Sequence, residues 1–295
     1  MTGTGNTLRA QVLRRRVLRV WALAALVLAW SSAAFSFDAE KEAEVFFKTL
    51  RDGQPLQLTQ LDAGDKTAEN AYKIQAVLIK KLLTETEDSL AGYKAGLTTT
   101  AQAQRFKSPG PVSGPLLKSG KMEIAAPEKP FSIKAFPGIM LEVEFAFKTA
   151  VPIEAPLKDE EELKKRIISV HAALEVPRVY FADMADLGFF DLTASGVGCK
   201  GFVVGPPHET SLDLDFMQVS LTFEGAAVVE GKGTDVLGGQ WKTLLWLVND
   251  VVSRGGRIEA DQYLLTGAMG GMIPGRPGKY TAAYPFQTFT FEIVQ

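Results

Sequence analysis

The chain is poor in the residues that build disulfide frameworks and zinc sites. Its 295 residues include one cysteine, Cys199, and two histidines. An internal disulfide needs two cysteines, and structural zinc sites draw four ligands mainly from cysteine and histidine. The sequence therefore excludes a disulfide framework and a Cys/His zinc site of the usual spacing, and we interpret Cys199 as an inert thiol.

The chain also lacks an excess of basic residues. The sequence has 32 Lys and Arg against 34 Asp and Glu. Five arginines and no acidic residue precede residue 37, so the remainder counts 27 basic against 34 acidic residues, a net charge of −7. This balance argues against nucleic acid as a partner.

The apolar run near the N-terminus is too short to span a bilayer comfortably. It covers residues 20–30, follows five arginines and precedes the small-residue triplet at 34–36. That order is typical of a secretory signal peptide, and residues 14–19 resemble a twin-arginine export signal. The alternative is an uncleaved N-terminal anchor, which would be the chain's membrane contact. Both interpretations place the body outside the cytoplasm, in a bacterial periplasm or anchored to an inner membrane.

Residues 37–130 are predicted to be a helical N-terminal part followed by a loop. Acidic residues begin a helix over 38–51, and Thr67 is placed to cap a second helix with one apolar stripe. Residues 106–130 are rich in Pro, Gly, Ser and Lys, which favours a long loop that could cover a site.

Residues 131–295 are predicted to be a β-rich core that belongs to the same domain. Strand-like runs recur from residue 131 onward, and a late helix over 242–254 carries an apolar stripe. Acids at the start and bases at the end of 158–169 predict a further helix there. The fold class expected after residues 1–36 is therefore a single α+β domain.

Two glutamates share one face of a predicted core strand within residues 136–147. Four large apolar residues alternate onto its other face: Leu141, Val143, Phe145 and Phe147. Glu142 and Glu144 then lie side by side, which is costly unless a cation sits between them. Glu175 interrupts the apolar run 170–176, and three carboxylates from neighbouring strands would suit Mg²⁺. The alternative is that this face meets water.

Lys94 lies between two glycines in the segment 90–98. Glycines let backbone segments approach closely, and a lysine among apolar neighbours can anchor an anion. The alternative is a solvated loop lysine.

Several short segments together resemble one known family. They are AYKIQ at 71–75, GYKAGLT at 92–98, EVE at 142–144, HAALE at 171–175, LLWLVN at 244–249 and LLTG at 264–267. In order and spacing they resemble the 2-keto-4-pentenoate hydratase and 2-oxo-3-hexenedioate decarboxylase group of the fumarylacetoacetate hydrolase superfamily. The likeness runs from about residue 71 to the C-terminus.

The resemblance implies a metal-dependent lyase with a mixed β-sheet roll and an N-terminal helical part, commonly a homo-oligomer. It implies that Glu142, Glu144 and Glu175 bind Mg²⁺ or Mn²⁺ and that Lys94 is the active-site lysine. It further implies a small 2-oxo acid as substrate and addition of water to its conjugated enol. Substrate contacts are expected from four residues: Tyr93, Leu97, Thr266 and Gly267.

The chain departs from the family's pattern at several polar positions. The family usually has an aspartate-containing turn where residues 111–114 read PVSG, and often Asp-Asn where Ser195 and Gly196 stand. Arg178 stands where aspartate is frequent, and Ala268 replaces a common serine. These changes leave the expected metal ligands in place but remove polar groups that help to determine substrate specificity.

Three functions compete on this evidence. The first is hydration or decarboxylation of a small 2-oxo acid. The second is hydrolysis of a C–C bond in an acylpyruvate, which often uses a Glu-His pair to activate water, although His171 in a strand is better explained as a packed, hydrogen-bonded histidine. The third is an exported relative that binds metal and carboxylate without turnover.

Overall fold

The structure is a computed structural model that describes residues 37–124, 126, 129–198 and 200–295. The predicted signal peptide or anchor at 1–36 lies outside the described residues, as does Cys199. Ala39–Gln295 form one compact unit. No helix within the described ranges combines the length and the apolar character needed to cross a membrane.

Helices and strands alternate along the described chain. The α-helices are α1 (Ala39–Arg51), α2 (Ala68–Glu85), α3 (Thr100–Arg105), α4 (Glu160–Lys164), α5 (Phe189–Ala194) and α6 (Gln240–Ser253). The strands are β1 (Leu90–Gly96), β2 (Val112–Leu117), β3 (Phe131–Lys134), β4 (Met140–Thr149), β5 (Ile167–Val176), β6 (Gly201–Val204), β7 (Gln218–Phe223), β8 (Ala226–Lys232), β9 (Tyr263–Leu265), β10 (Ile273–Pro274), β11 (Gly278–Tyr284) and β12 (Gln287–Val294).

The strands form two mixed sheets. The seven-stranded sheet has the order β2-β1-β9-β4-β5-β6, with β10 paired to β4. The five-stranded sheet has the order β3-β12-β11-β7-β8. β1 pairs in parallel with β9, and β12 with β3, while the other named pairs are antiparallel. This arrangement is an α+β fold, as the sequence predicts.

Strand β4 is buried on both faces. Its odd-numbered apolar residues, from Leu141 to Phe147, belong to the main core together with residues of β7, β12 and α6. Its other face carries Glu142, Glu144 and Ala146, which are buried as well. The alternative that this face meets water is therefore wrong, and two carboxylates lie inside the protein.

The N-terminal part contains the two predicted helices and also two strands. Thr67 caps α2 by accepting a hydrogen bond from the Asn70 amide at 3.2 Å. Gln75 of α2 donates to the carbonyls of Ser113 and Thr193 at 3.0 and 2.8 Å, which ties α2 to β2 and α5.

Two predicted segments are wrong. The loop expected over 106–130 contains β2, an almost fully buried strand at the edge of the seven-stranded sheet. The helix expected over 158–169 is reduced to α4, because Ile167 already starts β5. Burial of β-branched side chains against β4 outweighs the charge pattern that favoured a longer helix.

Candidate metal centre

Three buried glutamates converge on one side of the seven-stranded sheet. β4 and β5 are antiparallel, and Glu142 lies directly across from Glu175. Glu144 follows two residues later on the same face of β4. One carboxylate oxygen from each glutamate lies within 4.8 Å of the others. The strands thus bring together the three carboxylates that the sequence singled out.

These carboxylates are only partly satisfied by the protein. Lys94 Nζ lies 2.6 Å from Glu175 Oε1, and the Gly267 amide donates to Glu144 Oε2 at 2.8 Å. Glu144 Oε1 and Glu175 Oε2 are buried and have no hydrogen-bond partner among the described residues. Buried acceptors without partners are costly, so the cluster is suited to an additional positive charge.

Burial perturbs the acidity of the cluster. Desolvation, and then repulsion from Glu175, raise the pKa of Glu142 to about 8, although Lys94 opposes this. Desolvation likewise raises the pKa of Glu144 well above its ordinary value, and both neighbouring glutamates add to the effect. Glu142 therefore keeps its proton near neutral pH, although the Lys94 ammonium lies beside the cluster.

The donor set fits a hard divalent cation. Oxygen is the ligand that Mg²⁺ and Ca²⁺ take in proteins, and buried carboxylates become stable anions when such an ion lies between them. Orphaned oxygens on Glu144 and Glu175 provide acceptors that the protein itself leaves unused. The buried acidic cluster can therefore bind a divalent metal.

Lys94 is buried rather than solvated. It lies on β1 with 3% of its side chain exposed, so the alternative of a solvated loop lysine is wrong. Side chains alternate along a strand, so Tyr93 occupies the opposite face, where its hydroxyl donates to the Arg257 carbonyl at 3.3 Å. The expected substrate contact from Tyr93 therefore stays a prediction, and it would lie on the face of β1 opposite Lys94.

A small cavity lies beside Lys94 and Glu142. Its volume is about 30 Å³, and its lining includes Leu97, Val197 and Met272. A single water occupies roughly this volume in the liquid. Leu97 and Val197 have φ angles of 55° and 58°, the left-handed region that non-glycine residues seldom adopt. Two residues of the cavity lining thus have strained backbone.

The remaining expected substrate residues have structural partners. The Thr266 hydroxyl donates to Gln240 Oε1 at 2.5 Å, and Gly267 holds Glu144 through its amide. Gly267 has a φ of 98°, and a Cβ there would collide with Thr98. Gly267 is accordingly a positioning residue for Glu144, a role that the sequence did not reveal although it singled out this glycine.

Two departures from the family's pattern contact each other. A Cβ on Gly114 would lie 2.7 Å from the Gly196 carbonyl oxygen and 2.9 Å from Val197 Cβ. The backbone at 196–197 therefore fills the space that a side chain at position 114 would need. Gly114 on β2 and the loop after α5 are therefore packed against each other.

His171 is packed and hydrogen-bonded, as expected. Its Nε2 lies 2.8 Å from Ser169 Oγ, and its Nδ1 lies 2.8 Å from the Gly205 carbonyl oxygen. Burial lowers its pKa. Four residues of extended strand separate it from Glu175, about 13 Å at roughly 3.3 Å per residue, so the two do not form a Glu-His pair.

Comparison with known proteins was made by sequence and by structure. No family model matches the chain. The 2-keto-4-pentenoate hydratase of Paraburkholderia phymatum is 30% identical over 226 residues, which cover 74% of this chain and 82% of the relative.

Two solved structures show the same fold. The 4-oxalocrotonate decarboxylase of Pseudomonas putida G7, complexed with magnesium and adipate, aligns with a TM-score of 0.77 at 20% identity and covers 87% of this chain and 97% of its own. A putative fumarylacetoacetate hydrolase family protein from Yersinia pestis CO92 aligns with a TM-score of 0.53 at 17% identity, over 68% and 92% of the two chains. The expected fumarylacetoacetate-hydrolase-like fold is confirmed.

Proposed function

Because this chain belongs to the 2-keto-4-pentenoate hydratase family, we propose that it is a divalent-metal-dependent lyase that adds water to the dienol of a small 2-oxo acid. The observation that carries the proposal is the cluster of three buried glutamates beside Lys94, in which Glu144 Oε1 and Glu175 Oε2 have no hydrogen-bond partner among the described residues. Relatives named for hydration and decarboxylation support a lyase.

Glu142, Glu144 and Glu175 are the residues that would hold the ion, with Mg²⁺ as our first choice and Mn²⁺ as the alternative. The bound ion supplies a Lewis acid that stabilises negative charge on an enolising 2-oxo acid. The Gly267 amide keeps Glu144 oriented, and the β4–β5 register keeps Glu142 opposite Glu175. Rigid strands therefore fix all three carboxylates before substrate enters.

Lys94 supplies the fixed positive charge of the site. Its ammonium group is buried 2.6 Å from Glu175 and lines the small cavity together with Glu142. In such a water-poor site a lysine N–H stabilises a developing oxyanion strongly. We assign Lys94 Nζ to hold the substrate's carboxylate or its enolate oxygen and to donate a proton there.

Apolar side chains exclude bulk water from this site. Phe106, Leu192 and Met272 contribute to the wall of the cavity, which leaves space for about one water molecule. Space beside Glu142 suits a reaction that adds one water to a conjugated carbon. A five-carbon acid is larger than this cavity, so we expect the lining to rearrange when substrate binds.

The test is a calorimetric titration with Mg²⁺, with and without oxalate, followed by an ultraviolet assay on 2-hydroxypenta-2,4-dienoate. Oxalate is a planar analogue of an enolised 2-oxo acid, so it should tighten Mg²⁺ binding. Glu144→Gln should abolish turnover and weaken Mg²⁺ binding with the fold intact. Glu292→Gln, an exposed carboxylate on β12, is the matched control. An absence of Mg²⁺ binding and of turnover would refute the proposal.

A second candidate is a relative that binds metal and carboxylate without turnover. Gly114, which pairs with Lys94 across β1 and β2, favours it, because this residue carries no acid or base and the backbone at 196–197 fills its side-chain space. Oxalate that tightens Mg²⁺ binding in a protein without hydratase or decarboxylase activity would support this candidate. Hydrolysis of acylpyruvates is disfavoured by the separation of His171 from Glu175.

We also propose that the protein works outside the cytoplasm as a homo-oligomer. An arginine-rich segment, an apolar run and small residues follow one another within residues 1–36, which supports export. Members of the family are commonly homo-oligomers, which supports assembly. Mass spectrometry of the protein from a periplasmic fraction should give an N-terminus near residue 37, and light scattering should give a mass above that of one chain. A cytoplasmic, uncleaved monomer would contradict both statements.

A further inference from the structure

A second, much larger cleft lies between α1, α2, β2 and the loop after α5. Its volume is about 400 Å³, within the range of small-molecule sites. Six apolar side chains form most of its wall: Phe47, Leu50, Leu56, Ile79, Leu82 and Leu117. We propose that this helical cleft binds an amphipathic organic acid, with its apolar body against these side chains and its carboxylate toward Arg178.

Charge in the helical cleft favours an anion. Arg51, Arg178 and Lys200 line it, against one carboxylate, Glu85. Arg51 is exposed and pairs with Asp52 at 3.0 Å. No carboxylate among the described residues lies within ion-pair distance of Arg178. The basic groups of the cleft therefore outnumber the acidic ones, and its innermost cation lacks a protein counter-ion.

Arg178 has an unused donor. Its Nη2 donates to the Gly53 carbonyl at 3.0 Å, and its ring-stacking partner is Tyr180, 5.1 Å from the guanidinium carbon. Its Nε is buried and has no hydrogen-bond acceptor in the described part of the chain. A carboxylate oxygen is the acceptor that a guanidinium N–H binds most strongly. A bound acid would supply the counter-ion that this guanidinium lacks among the described residues.

The helical cleft is separate from the metal centre. Pro177 and Val179 line the small cavity, whereas Arg178 between them lines the cleft. Val197 faces the small cavity, and Gly196 faces the cleft. One layer of backbone thus divides the two spaces, and no metal-cluster glutamate lines the cleft. Occupation of this cleft needs neither a metal nor lyase activity.

The test is calorimetric titration of the protein with decanoate below its micelle-forming concentration. Acetate supplies the charge without the apolar body, and decyltrimethylammonium supplies the body with the opposite charge. We expect decanoate to bind with a stoichiometry of one and the other two probes to bind at least about tenfold more weakly, the factor that one charge-assisted hydrogen bond provides.

Four variants locate the binding. Arg178→Gln should weaken decanoate binding about tenfold or more, and Leu82→Trp should abolish it by filling the cleft. Lys134→Gln removes an exposed positive charge on β3 and should change nothing. Glu144→Gln should lose Mg²⁺ binding yet keep decanoate binding, which separates this site from the proposed lyase site.

Several outcomes would overturn the proposal. They are equal binding by decanoate and decyltrimethylammonium, unchanged affinity in Arg178→Gln, and loss of decanoate binding in Glu144→Gln. A change in oligomer mass in folded Leu82→Trp, together with an absence of decanoate binding by the unmodified protein, would assign the cleft to a contact between copies instead. Circular dichroism verifies that each variant is folded.

Discussion

Without divalent ions, the protein should become less stable as the pH rises from 5 to 8. Burial raises the pKa of Glu142 from 4.5 to about 8. Between these values the folded chain keeps a proton that the unfolded chain has lost. The folded state then binds more protons than the unfolded state, so the free energy of unfolding falls as the pH rises.

The size of the effect follows from the width of that interval. One carboxyl contributes at most about 1.4 kcal/mol per pH unit, so three units give about 4 kcal/mol. For a chain of this length, that loss corresponds to a fall in Tm of about 10 °C. Glu144, whose pKa is also raised, adds to the same trend. Saturating Mg²⁺ should remove most of the slope, because it stabilises the ionised carboxylates.

Differential scanning calorimetry at pH 5, 6, 7 and 8, in EDTA and in excess Mg²⁺, measures both slopes. Glu142→Gln controls for titration elsewhere in the protein, because it deletes this group alone. In EDTA the variant should gain stability relative to the unmodified protein as the pH rises, because glutamine has no proton to lose on unfolding. If the difference between the two proteins is constant with pH, or if Mg²⁺ stabilises both equally at pH 5 and 8, the reasoning about the cluster is refuted.

Three further substitutions test the surroundings of the cluster. Lys94→Met should lower kcat about 100-fold or more, as loss of a preorganised donor does, while Mg²⁺ binding by calorimetry is retained. Gly267→Ala, at a φ of 98°, should destabilise the fold by about 1–3 kcal/mol in urea unfolding and weaken Mg²⁺ binding, because the amide that holds Glu144 must shift. Gly114→Ala should cost about 1–3 kcal/mol by crowding the backbone at 196–197, whereas Gly64→Ala, with open space around it, should be neutral. Equal effects at positions 114 and 64 would contradict the contact between β2 and the loop after α5.

The metal cluster was predictable because strand periodicity determines which side chains share a face. The alternation of β4 places Glu142 and Glu144 together, and a neighbouring apolar strand with one glutamate supplies Glu175. The burial of this face was not predictable from β4 itself. Phe106, Leu192 and Val197 come from segments far apart in the chain, and only the folded protein brings them together around the cavity beside Glu142.

The errors share a physical cause, namely that local composition was weighed without its tertiary partners. Residues 112–117 contain Gly and Pro, which favour a loop, yet they pair with β1 and are buried. Tyr93 and Lys94 are adjacent in a motif but occupy opposite faces of β1, so their proximity in the sequence does not place both side chains at the glutamates. The positive φ angles of Leu97 and Val197 could not be predicted from the sequence, because leucine and valine normally avoid that conformation.

The three glutamates and the loop after α5 belong to different parts of the fold. The chain can therefore retain the glutamates of the family's pattern while it departs from that pattern in the loop. The glutamates lie on two central strands, where a change of register or size would disturb the core on the opposite face of β4. Val197 lines the cavity beside Glu142, and the loop 195–198 that carries it has positive φ at positions 196, 197 and 198. This loop is not part of β4 or β5, so we expect changes there to alter the cavity while the three glutamates stay in place. A variant with a polar side chain at position 114 should accordingly need a second substitution at 196 or 197 before it folds as stably as the present chain.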